Sequence, residues 1–204
     1  MNVEYTVGLA ILDFVPNIAF LVGALFLVRI VILNRGKPCS RMCMAGSLLV
    51  FSGGILKAIW KLLFTLGIAD IQWMSQSQFI LLAPGFFALL VTVILLAREK
   101  TVKASSITLA IAPWKIPLLA LMTISSLGAQ GILTYISFKR KARLAAALFI
   151  VAVLCMLGMS GMASGSEQTV ATQWIEESIN SIGQISFAFA CWLLYRDYAS
   201  VKAI

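Results

Sequence analysis

Two lysines interrupt an otherwise apolar run. In Gly53-Gly54-Ile55-Leu56-Lys57-Ala58-Ile59-Trp60-Lys61 they stand four residues apart, so a helix puts both ammonium groups on one face. Asp13 and Asn17 have the same spacing near the start of the chain. Glu176 and Asn180 have it near the end, with Gln184 one turn further on. Ionisable side chains inside a span are costly and point to function by default. Here the chemistry would be ionic capture of a small solute. Lys57 and Lys61 suit a carboxylate or phosphate, Asp13 and Glu176 suit an amine or a coupling cation, and Trp60 supplies an apolar wall. The same charges would also serve as glue, neutralising one another and pinning three helices. Glu177 is about 100° round the helix from Glu176 and is expected in solvent.

Other chemistries are excluded by residue type. The chain has no His, which removes the usual acid–base residue and the commonest zinc ligand. The four cysteines are Cys39, Cys43, Cys155 and Cys191. Cys39 and Cys43 have no second pair to complete a metal site and are read as unlinked thiols. No nucleophile and base have a spacing that points to catalysis. We therefore expect no enzyme, no metal and no cofactor.

The elements that must position these groups are membrane helices. Of 204 residues, 61% are apolar and 12% charged, and mean hydropathy is +0.98. A soluble domain averages about half apolar and about a quarter charged. A chain of this size cannot bury so much apolar surface in water. Five runs are long enough to cross a bilayer: Phe14–Leu33, Met42–Ile68, Phe79–Ala97, Leu144–Ala163 and Trp174–Tyr195. The stretch Ala104–Phe138 is long for one span and short for two. Pro113-Trp114-Lys115-Ile116-Pro117 divides it, and prolines this close break or kink a helix. Met1-Asn2-Val3-Glu4 lacks a basic leader segment, so no cleaved signal peptide is expected.

The basic residues choose between six and seven spans. If the divided stretch turns back near Trp114–Pro117, 13 of the 16 Lys and Arg lie on one side; Lys57, Lys61 and Lys115 are the others. If it crosses once, those 13 split 7 (through Lys103) against 6 (from Lys139 on). The positive-inside rule selects seven. The expected fold class is thus an all-α polytopic membrane protein with seven transmembrane segments. It includes a short fourth helix over roughly Thr101–Ala112; the alternative is six spans as an inverted 3+3 repeat. The N-terminus and Ser166 would be outside, and Lys37, Lys100, Lys141, Lys202 and the C-terminus cytoplasmic. The membrane would be a plasma or bacterial inner membrane.

Counted inward from Met42 and Tyr195, Lys61 and Glu176 are both 19 residues deep, and Lys57 and Asn180 both 15. Asp13 and Asn17 lie at nearly the same two levels in the first span. The outward-facing site is therefore expected between spans one, two and seven. Lys57 would be its energetic centre, because Lys61 is nearer the interface and can snorkel. Ala83-Pro84-Gly85 would kink the third span. Gly53, Gly54, Gly158 and Gly161 are expected at helix contacts, where a missing side chain lets backbones approach.

Residues 1–204 read as a single membrane domain with an internal echo at offsets near one hundred. Gln72-Trp73 recurs as Gln173-Trp174, Gly85 as Gly183, and Lys37 and Arg41 as Lys139 and Arg143. Repeat halves would span 6–98 and 106–196, giving a 3+1+3 plan. At fold level alone that plan resembles the SWEET and PQ-loop proteins. Their signature is absent, since Asn17 follows Pro16 and Leu118 follows Pro117. The expected function is a small transporter or facilitator for a small polar or charged metabolite. The alternative is a non-enzymatic membrane-embedded sensor or capture subunit of a larger complex. Expected partners are the lipid bilayer, a small-molecule solute, and partner subunits or further copies of the chain, with no nucleic acid.

Overall fold

The structure, a computed structural model, describes residues 6–98, 115–163 and 169–202. Its elements are α1 (Val7–Leu12), α2 (Phe14–Thr65), α3 (Gln72–Ala97), α4 (Lys115–Lys139), α5 (Arg143–Ala163) and α6 (Val170–Lys202). Among the described residues these helices are the only regular elements. The short fourth helix expected over Thr101–Ala112 lies outside the described residues, as do Glu4, Lys100 and Ser166.

Local chemistry explains the breaks. Thr6 caps α1, its hydroxyl accepting from the Leu9 N–H at 3.3 Å. Pro16 has no N–H for the Leu12 carbonyl, so the helix is interrupted at Asp13 and resumes as α2. Gly36 takes φ 77°, a left-handed conformation that a Cβ would penalise, and folds α2 back on itself. Pro38 opens the second arm, where a missing N–H costs little. The arms, 14–35 and 37–65, are antiparallel: Gly54 packs on Asn17 and Lys61 reaches Asp13.

From Ile18 to Val28 the first arm is apolar all round. Phe20, Ala24, Leu27 and Val31 face the core, while Ile18, Val22, Leu25 and Ile32 face outward. A helix of that kind needs an apolar surrounding on every side. Three helical stretches are long and apolar enough to cross a membrane: Val7–Thr65, which contains the fold-back, Gln72–Ala97 and Leu118–Lys139. Arg143–Met159 is a shorter apolar helix.

The second arm of α2 packs tightly on α3. A methyl group built on Gly46 would stand 2.9 Å from the Gly85 carbonyl oxygen, so both positions need glycine. Gly53 also meets α3, at Gln78 and Leu82, as expected from its sequence. Gly158 departs from expectation: it is exposed and a side chain there would meet nothing within 4 Å. Its side of α5 faces away from the bundle, and lack of a side chain does not by itself say which way a residue points. The side chains around Gly161 are outside what is described.

The α3 and α4 helices run in the same direction. Leu90 packs on Gly128, and the level of Phe86, Leu89 and Val93 matches that of Ser126, Ala129 and Leu133. The ends are tied together. Arg35 donates to the Leu96 carbonyl at 3.4 Å, Arg140 pairs with Asp197 and covers the Tyr198 ring, and Arg35 also acts on Tyr198. The Gly36 turn, the end of α3, the α4–α5 turn and the end of α6 therefore meet at one basic end. Thr6, Gly67 and Thr169 mark the opposite end.

Candidate functional site

Near the end opposite the basic one, three helical segments bring ionisable groups into contact. Lys61 stands four residues before the end of α2, and its ammonium donates to Glu177 Oε1 at 2.9 Å and to Asp13 Oδ2 at 3.4 Å. All three side chains are at least nine-tenths buried. The two carboxyl groups are close enough to act on each other electrostatically. One ammonium thus joins α2 to the α1–α2 break and to α6.

Each partner is held by its local backbone. Asp13 sits at the proline-induced break, and Asn17 Nδ2 donates to the Asp13 carbonyl at 2.7 Å, steadying the turn that Pro16 leaves short of a hydrogen bond. Asn17 in turn lies against Gly54, where any side chain would displace it. Lys57, one turn from Lys61 toward the basic end, is partly buried and acts electrostatically on both carboxylates without joining the ion pairs. Two ammonium groups therefore face two carboxylates.

The structure corrects the expected roles. Glu177, expected in solvent, is buried on Lys61, while Glu176 is only partly buried and outside the pair. Gln173, Glu177 and Ser181, spaced by four, form the inward face of α6; Glu176 and Asn180 lie about 100° round it. Matching depths gave the level of the site and said nothing of helix rotation. Of the two lysines it is Lys61, and not Lys57, that is buried and makes the ion pairs. The protein brings two acids to it, so the ammonium finds partners without reaching for the interface. Trp60 stacks on Phe64 and donates its indole N–H to Asp70 at 2.9 Å, which turns it toward the α2–α3 loop. Gln184 lines a separate internal cavity.

Three residues carry polar atoms the sequence reading missed. Gln173 Oε1, Glu177 Oε2 and Ser181 Oγ are buried with no hydrogen-bond partner. Together they make a row of unpartnered oxygens along one face of α6, two of them acceptors and the third a hydroxyl. The signal was available in the fourfold spacing of Gln173, Glu177 and Ser181, which equals that of Glu176 and Asn180.

Fold and site together define an α-helical protein with bilayer-length apolar helices and a buried charge cluster between three of its segments. Comparison with protein-family models, with curated proteins and with solved structures gives no match.

Proposed function

We propose that the protein is a small membrane carrier for a small polar solute bearing N–H donors, such as an organic ammonium ion. The observation that carries this reading is the row of unpartnered oxygens on Gln173, Glu177 and Ser181 beside a lysine shared by two acids. Buried acceptors without partners are expensive, more so away from water. A donor-rich solute would satisfy them, and its positive charge would compete with Lys61 for Asp13 and Glu177. The cluster is then a binding station whose internal ion pairs exchange for pairs with the solute.

The same proposal includes seven crossings, with the N-terminus outside and the C-terminus cytoplasmic in a plasma or bacterial inner membrane. The shared direction of α3 and α4 supports an odd number of crossings. The gathering of Arg35, Arg98, Arg140 and Arg196 at one end supports a cytoplasmic assignment for that end. The 3+1+3 repeat belongs to this reading too; Gly85 and Gly183 both stand at close helix contacts. A second reading is a capture subunit that binds solute without moving it. It is favoured by the position of the cluster near one end of the bundle.

Uptake of labelled ethanolamine into proteoliposomes tests the proposal. The intact protein should accumulate it, and Glu177→Gln should abolish uptake while Glu176→Gln retains it. Saturable binding without uptake would select the capture reading. Full uptake by Glu177→Gln would reject the site.

A further inference from the structure

A second site lies deeper in the bundle. All five of the longer helices, α2 to α6, contribute walls to one internal cavity. The space between the walls, counting the part that is open, measures about 440 Å³. It is distinct from the charge cluster: Phe20 and Gln184 on its wall are each seven residues along their helices from Asp13 and Glu177, or roughly 10 Å by the standard rise.

The walls are mainly apolar and aromatic. Phe20 stacks on Phe187 at 5.8 Å and meets Phe86 edge-on at 6.1 Å, forming a continuous aromatic surface. No ionised side chain lines the cavity. The Ser126 hydroxyl is already engaged with the Thr123 carbonyl and the Met156 sulfur. Gln130 is different. It is nine-tenths buried on the cavity wall, and its Oε1 has no hydrogen-bond partner. Leu would fill that position at no polar cost, whereas a buried amide oxygen left without a donor is destabilising.

We propose that this cavity binds an uncharged amphiphile: an apolar body against Phe20, Phe86 and Phe187, with one O–H or N–H donated to Gln130 Oε1. A charged solute is disfavoured by the absence of a counter-ion in the walls. A plain hydrocarbon tail would fill the space and leave Gln130 unsatisfied. A single water would satisfy Gln130 and leave the aromatic walls uncovered. This inference does not depend on whether the protein transports a solute.

The probe is a diazirine-bearing octanol, photolysed with the full chain in phosphatidylcholine nanodiscs and compared with the matching diazirine-bearing octane. Adducts are mapped by mass spectrometry. Saturable octanol labelling is expected on wall residues such as Leu133, Met156 and Phe187. Ala129→Phe, which adds a ring at the wall, should remove that labelling. Gln130→Leu, which keeps the side-chain volume, should lower octanol labelling about tenfold and leave octane labelling unchanged, the loss expected for one hydrogen bond. Two outcomes overturn the proposal. One is octanol labelling confined to outward-facing residues such as Ile124 and Tyr135; the other is an alcohol-to-alkane ratio unchanged by Gln130→Leu.

Discussion

Lys61 is the residue with most to lose. Its ammonium is the common partner of Asp13 and Glu177, and all three are withdrawn from solvent. Removing one member of such a set leaves the others charged and unmatched, a loss of about 3–5 kcal/mol. Lys61→Met should therefore lower the thermal midpoint of the detergent-solubilised protein sharply, followed by circular dichroism. Replacing the three ion-paired residues at once, Lys61→Met with Asp13→Asn and Glu177→Gln, should recover most of the loss, because the fully buried charges go together and Lys57, which loses both acids, is only partly buried. If the triple variant is no more stable than Lys61→Met alone, the ion pairs are not what holds these segments together. Glu176→Gln should cost less than about 1 kcal/mol, since a partly exposed acid is worth little to stability. Lys57→Met should fall between the two, because Lys57 acts on the carboxylates without closing an ion pair with either.

At the scale of elements, the contact between the second arm of α2 and α3 is set by Gly46 and Gly85. A Cβ on Gly85 would stand 2.7 Å from a Val50 methyl carbon and 2.9 Å from the Gly46 carbonyl oxygen. The second obstacle is backbone and cannot rotate away. Gly85→Val should thus cost about 1–3 kcal/mol as overpacking. Gly158→Val should be neutral within about 0.5 kcal/mol, because nothing stands near that position. Equal melting of the two variants would contradict the packing described for α2 and α3. The fold-back at Gly36 should respond differently. Gly36→Ala meets no neighbour yet must hold φ at 77° with ψ at −174°, so its cost, about 1–3 kcal/mol, is conformational.

For the whole molecule, the end-to-end ties predict which loops share a compartment. In a background with the native cysteines replaced, Lys37→Cys and Lys141→Cys should be labelled by an impermeant maleimide from the same side, and Asp70→Cys and Thr169→Cys from the other. The chain passes the Gly36 turn and the α4–α5 turn at one end, where Arg35 and Arg140 both act on Tyr198. Labelling of Lys141→Cys from the side opposite Lys37→Cys would refute both the seven-span topology and the shared direction of α3 and α4. The lipid-facing surface should be the row of exposed apolar residues, Ile18, Val22, Leu25 and Ile32 on the first arm among them. Those positions should tolerate exchange among Leu, Ile and Val.

Sequence alone determined the solvent and the level of the site. Apolar runs of bilayer length leave no other home for this chain, and Asp13, Asn17, Lys57 and Lys61 were legible because charge inside such a run is costly. Spacing along a helix also carries depth, which is why Lys61 and an acid of the last helix were matched. Depth is one coordinate of three. Rotation of α6 decides whether Glu176 or Glu177 meets the lysine, and two adjacent residues on one helix have the same depth to within a single rise. The apolar periodicity that would fix rotation is missing, because helices surrounded by lipid are apolar on every face. Tertiary packing settles it by facing Gln173, Glu177 and Ser181 inward. The same packing encloses the cavity around Gln130, a residue whose isolation in an apolar helix was visible in the sequence but whose surroundings come from five different helices.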